Sequence, residues 1–186
     1  METPSIDIET HNRPGWGRLD GIDTIEPVHE HYQVERLFMA YTNLRVHLVW
    51  STKDRAPTIA EDFQEELYAY IGGILRKRKH VLLAAGGVED HIHLLVGIHQ
   101  SQAIADCVRD VKSNSSGWIH ERFAKLQSFR WQTKYGAFTV SESQVDSVKA
   151  YIADQKEHHK TLSFKEEFLL ILRKHGIEFD ERYVFE

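Results

Sequence analysis

The sequence predicts an α+β domain, built on a ferredoxin-like (RRM-like) βαββαβ antiparallel sheet with helices on one face and two further C-terminal helices. Three observations carry that expectation. Short stretches alternate apolar and polar residues at a period of two. Longer stretches repeat apolar residues at helical spacing. From residue 41 onward the two patterns follow one another in the order β-α-β-β-α-β.

The elements read as follows. "YTNLRVHLVWST" alternates Leu44, Val46, Leu48 and Trp50, the signature of a strand. "EDFQEELYAYIGGILRKRK" sets Phe63, Leu67, Ile71, Ile74 and Leu75 on one helical face, with acids early and bases late as the helix dipole favours. "VLLAAGGV" is a second strand, and Gly86-Gly87 with Glu89-Asp90 turns the chain into a third, "HIHLLVGI". A long helix follows, with Ile104, Val108, Val111, Trp118 and Phe123 near one stripe and Cys107 beside it as an inert packed thiol. "RWQTKYGAFTV" supplies the fourth strand. Ser141 and Gln144 stand in capping-box spacing at the start of "SESQVDSVKAYIADQKEHH", and a last helix, "SFKEEFLLILRKHG", ends at Gly176. The sheet's second face is expected to be free for a ligand or partner.

Composition narrows the class. The 186 residues suffice for one domain with an appendage, and the single cysteine excludes an intrachain disulfide and fits a reducing cytoplasm. No apolar run is long enough to span a membrane, so a cytoplasmic location is expected. The net charge of -5 resides entirely in the first 40 residues, and the remainder is balanced. Residues 1–38 carry three of the four prolines and no sustained period, so they read as a poorly ordered or peripheral leader to a domain at 39–186. Met39 is an alternative start.

"GGVEDHIHLLVGI" holds the chemistry. His91 and His93 are two apart on a strand and project from the same face, while Ile92 points away. Paired imidazoles suit a divalent transition metal, although the same pattern also fits a solvated sheet face. Two ligands need a third. In "AYIADQKEHH", Tyr151 and Gln155 lie one helical turn apart, offering a phenol nucleophile and an amide oxygen ligand. Tyr151 equally continues the apolar stripe of Val145, Val148 and Ile152. His158 and His159 are rival ligands, but neighbours on a helix diverge by about 100° and cannot both face one ion. Tyr135 is a rival nucleophile that lacks a ligand one turn onward.

"HIHLLV", "VHLVWSTKDRAPTI", "WQTKYGAFTVSESQVDSVKAYIADQKEHH" and "SFKEEFLLILRKHGIEFDERYVF" together resemble the single-tyrosine HUH transposases of small bacterial insertion sequences, from about residue 41 to 186. The resemblance implies that His91, His93 and Gln155 hold Mg²⁺ or Mn²⁺, and that Tyr151 is the nucleophile. It implies cleavage and rejoining of single-stranded DNA through a 5′-phosphotyrosine, with hairpin ends of a mobile element as substrate and a homodimer as the working unit, in which the tyrosine helix of one subunit completes the site of the other. The residues themselves leave open whether Tyr151 serves its own subunit or its partner. Basic residues that would grip phosphate are Arg76, Lys77 and Arg78 in "RKRKH", and Lys112 in "VKSNSS". No residue stands out as the base for the tyrosine proton. Two other functions fit the bare pattern: a metal-dependent hydrolase that uses water, and a ferredoxin-like module that binds single strands on its open face. A domesticated relative of the transposases is a third.

Overall fold

The computed structural model describes residues 41–185, and the expected leader lies outside them. Four strands form one sheet: β1 (Arg45–Ser51), β2 (Val81–Val88), β3 (His91–Gly97) and β4 (Gly136–Thr139). Their order is β2-β3-β1-β4, with every neighbouring pair antiparallel. Strand β3 thus inserts between β1 and β2, which is the split βαβ arrangement expected.

Side-chain alternation assigns each face its task. Val46, Leu48 and Trp50 of β1 and Ile92, Leu94 and Val96 of β3 point to one side. There they meet Phe63, Leu67, Ile71 and Leu75 of α1 (Glu61–Lys77), and Cys107, Val108, Val111 and Ile119 of α2 (Ile104–Arg122). Removing each large side chain of this layer from water stabilises the fold by about 1.5–3 kcal/mol. Burial also pushes the Cys107 thiol up to about 11, as an inert thiol requires.

The opposite face is not open, contrary to the sequence expectation. It is covered by α3 (Val145–Ala153), the short α4 (Gln155–His158) and α5 (Phe164–Lys174). Val145 and Ile152 close over Leu95, while Phe164, Leu169 and Leu172 join Val49 and Phe138. This side of the sheet carries Val49 and Leu95 beside its histidines, so leaving it bare would expose apolar surface that the late helices can bury.

Two local expectations change. Strand β4 covers only the end of "RWQTKYGAFTV", with Trp131 reduced to an isolated bridge to Thr52. The intervening backbone is held elsewhere: Lys112 Nζ donates to the carbonyls of Gln132, Thr133 and Lys134 at 2.7, 3.2 and 2.9 Å. The capping box sits not at Ser141 but at Ser163, whose hydroxyl accepts from Glu166 N–H while the Glu166 carboxylate accepts from Ser163 N–H at 2.9 Å. Ser141 opens a 3₁₀ turn over Glu142–Gln144, and its hydroxyl meets that of Ser143 at 3.0 Å. No described helix is long and apolar enough to cross a membrane.

Candidate active site

Strand register brings the imidazoles together. In the β1–β3 ladder His47 faces Leu95, Val49 faces His93 and Ser51 faces His91. His91 and His93 are fully buried and project towards the late helices. His91 Nδ1–H donates to Asp90 Oδ1 at 2.6 Å, which leaves Nε2 with its lone pair. His93 Nδ1 lies 3.0 Å from His47 Nε2 on the neighbouring strand, and the tautomer in which Nδ1–H donates again frees Nε2. His93 Nε2 is buried with no hydrogen-bonding partner. A buried nitrogen left in that condition is costly unless something binds it.

Helix α3 reaches this pair because of one missing side chain. Gly86 of β2 is the ladder partner of His93, and the carbonyl oxygen of Ile152 lies only 2.1 Å from where a Cβ would stand on Gly86. The helix backbone therefore rests directly on the strand. Tyr151, one residue earlier, lies against His93 with ring centroids 5.8 Å apart and against His47 at 6.1 Å, both edge to face. The helix breaks at Asp154, yet Gln155 keeps its place. Gln155 Oε1 lies 3.4 Å from His91 Nε2, and its amide nitrogen donates to Glu167 Oε1 at 3.1 Å.

Glu167, in the first turn of α5, joins His47 as a site residue that the sequence pattern does not single out. Its Oε1 accepts the Tyr151 hydroxyl as well as the Gln155 amide. Its Oε2 is 3.1 Å from His159 Nε2, 3.4 Å from His93 Nε2 and 3.7 Å from His91 Nε2. Burial alone would raise this carboxyl, but the hydrogen bonds it accepts from His159 and Tyr151, with the His93 ring close beside it, outweigh burial and hold the group far below the usual carboxylate range. Burial first, and the Glu167 carboxylate second, push the Tyr151 phenol well above its ordinary value. The nucleophile candidate is therefore protonated at rest.

Adjacent helical histidines diverge as expected. His159 turns to Glu167, while His158 turns to the edge of the Tyr151 ring at 5.1 Å. Tyr151, His158 and His47 line a cleft of about 550 Å³ that also takes in Ser141, Gln144, Glu167, Lys174 and His175, so the phenol has a route to solvent. Tyr135 lies elsewhere, its ring facing Lys112 Nζ at 5.5 Å, with no hydrogen bond or ring contact to His91 or His93 among the described residues. Arg76, Lys77 and Arg78 close α1 just before β2 begins, and Val81 pairs with Gly97 whereas Val88 pairs with His91. They thus stand near the opposite end of the sheet from the histidine pair, and Arg78 is paired to Asp110 at 2.9 Å. The Lys112 ammonium is taken up by its three carbonyls.

The residues fit a divalent cation: His91, His93, His159 and Glu167 present ligand atoms within 4.8 Å of one another, and the unpartnered His93 nitrogen faces that group. One consequence is an acid-labile fold. Burial holds His47 down at about 3 and His93 at about 4, from an ordinary 6.5. Both shifts are downward, so the unfolded chain takes up protons first as pH falls. The contributions of these two imidazoles are complete above about pH 6.5 and decline towards about pH 3. The melting temperature of metal-free protein should drop across that interval, and less so for His47→Gln. A flat profile in the parent protein contradicts the burial of these imidazoles.

The site thus sets two strand histidines, a helix tyrosine one turn before an amide, and a buried carboxylate on a split-βαβ sheet. The chain belongs to the IS200-like transposase family, whose model matches residues 40–155. It is 25% identical over 119 residues to the ISDra2 transposase TnpA of Deinococcus radiodurans, covering 61% of this chain and 85% of that protein. It is 30% identical over 127 residues to the transposase of insertion sequence element IS200 from Salmonella typhimurium, covering 63% of this chain and 80% of the relative. The fold is shared with a REP-associated tyrosine transposase solved bound to a REP hairpin, at a TM-score of 0.51 and 13% identity over 66% of this chain and 73% of that one.

Proposed function

We propose that the domain cleaves and rejoins single-stranded DNA by attack of the Tyr151 oxygen on phosphorus, leaving a 5′-phosphotyrosine and a free 3′-hydroxyl. The observation that carries this reading is the meeting of the Tyr151 phenol, the Gln155 amide and the His91–His93 pair within one chain. A Mg²⁺ or Mn²⁺ ion held by His91, His93 and Gln155 would draw charge from the non-bridging phosphate oxygens. Tyr151 supplies the nucleophile, and its proton already faces Glu167 Oε1, an acceptor within reach when the O–P bond forms. Retaining the phosphoryl bond on Tyr151 lets a second 3′-hydroxyl reverse the step without another energy source.

The single strand enters through the cleft beside Tyr151, where Lys174 offers charge and Ser141, Gln144 and His158 offer hydrogen bonds. Lys174→Ala should weaken binding of all single strands similarly and lower the salt slope by about one. Loss of binding to one sequence alone contradicts that role. Arg76 and Lys77, remote from the cleft, serve hairpin phosphates away from the scissile bond. The working unit is a homodimer in which each chain carries its own site. A base-stacking module is disfavoured, because α3 and α5 cover the sheet face that it would use.

Labelled single-stranded hairpin DNA, incubated with the protein and Mn²⁺ and resolved under denaturing conditions, tests the reading. A covalent adduct that disappears with chelator is expected. Hydrolytic products without any adduct would instead assign the chemistry to water.

A further inference from the structure

The donors gathered at the histidine pair exceed what strand cleavage uses. Besides Gln155, His159 and Glu167 converge on the same point as His91 and His93. One oxygen, Glu167 Oε2, lies 3.1, 3.4 and 3.7 Å from the Nε2 atoms of His159, His93 and His91. Nitrogen and oxygen donors around a tetrahedral zinc-sized ion, at bond lengths of about 2.0–2.2 Å, are separated by about 3.3–3.6 Å. The three observed spacings bracket that edge. Asp90 and His47 turn the lone pairs of His91 and His93 inward, as outer partners of metal-binding histidines do, and His93 Nε2 has no other partner.

We propose that His91, His93, His159 and Glu167 form a closed four-coordinate site for a borderline transition ion of the Zn²⁺ or Co²⁺ kind. The proposal rests on the reading above only in turning His91 and His93 towards a metal. Three imidazoles favour such an ion over Mg²⁺, which prefers oxygen donors and octahedral geometry. With four protein donors the ion keeps no open position for a phosphate oxygen. The second Glu167 oxygen meanwhile holds the Tyr151 hydroxyl. Filling the site therefore describes a resting state, which DNA must open by displacing Glu167 Oε2 from the ion while Oε1 keeps the Tyr151 hydroxyl.

Titration of metal-free protein with Co²⁺ alone, followed by visible absorption, tests this. Intense bands of four-coordinate Co²⁺, saturating at one equivalent, are expected. His159→Asn and Glu167→Gln should each weaken Co²⁺ binding by about tenfold or more and leave a weak, six-coordinate type of spectrum. Gln155→Ala should keep the intense bands. A weak spectrum in the parent protein, or one that depends on Gln155 and ignores His159, overturns the proposal. Circular dichroism checks that the variants fold, and the parent spectrum decides the coordination number without them. Because no cleavage is read, a protein with intense bands that forms no DNA adduct sinks the functional reading and leaves this site standing, and the converse pair of results does the reverse.

Discussion

A Tyr151→Phe chain is expected to fold as its parent does and to form no covalent DNA adduct at all. The ring's neighbours remain: His93 at 5.8 Å, His47 at 6.1 Å and His158 at 5.1 Å all contact the aromatic face or edge, not the hydroxyl. What is lost is one hydrogen bond to a carboxylate, worth about 1.5–3 kcal/mol at most. Glu167 keeps Gln155 and His159 as partners, which softens that loss. Chemistry has no such reserve, since Tyr135 shows no contact with the pair. The check is a thermal melt beside an adduct assay on the same preparation. An adduct of parental yield in the phenylalanine variant would falsify the assignment of the nucleophile.

The second large effect is expected at a residue with no side chain. Gly86→Ala places a methyl 2.1 Å from the Ile152 carbonyl oxygen, 3.0 Å from its Cγ2 and 3.1 Å from its carbonyl carbon. The oxygen belongs to helix backbone, so it cannot swing aside as a long side chain would. Helix α3 has to lift off β2 by about an ångström or more, carrying Tyr151 with it. A misplacement of that size costs about a hundredfold in rate. The expected result is therefore a folded protein with adduct formation slowed by about two orders of magnitude and with a smaller loss of DNA affinity, because Ser141 and Lys174 lie off this contact while Gln144 and His158 flank the helix that moves. Single-turnover kinetics beside a binding titration separate the two. A variant that cleaves at the parental rate would show that the close approach does not position the phenol.

The strands and long helices were legible because one face of each is uniformly apolar, and that periodicity survives any detail of packing. Gln155 remains one turn from Tyr151 despite the helix break at Asp154, so their spacing alone puts the two on one side. His159 was legible only as a rival to His158, since the sequence gives the angle between them but not which one faces inward. His47 could not be found: its relation to His93 depends on which strands neighbour each other, and sheet order is a tertiary property. Glu167 did leave a trace. It interrupts the stripe formed by Phe164 and Ile171, three residues before and four after, where an acid has no reason to stand unless partners await it. The free second face was misjudged for a related reason, because the covering helices follow the sheet in sequence and their docking site cannot be read from their own pattern.

Phenol and imidazoles of one chain meet in one site, and complementation measures that directly. Chains carrying Tyr151→Phe and chains carrying His93→Ala, each inactive alone, are co-expressed and assayed together for adduct on hairpin DNA. Sites built within single chains predict that the mixture stays inactive. Adduct restored by the mixture would mean that the tyrosine of one chain serves the histidines of another, and would contradict the arrangement described.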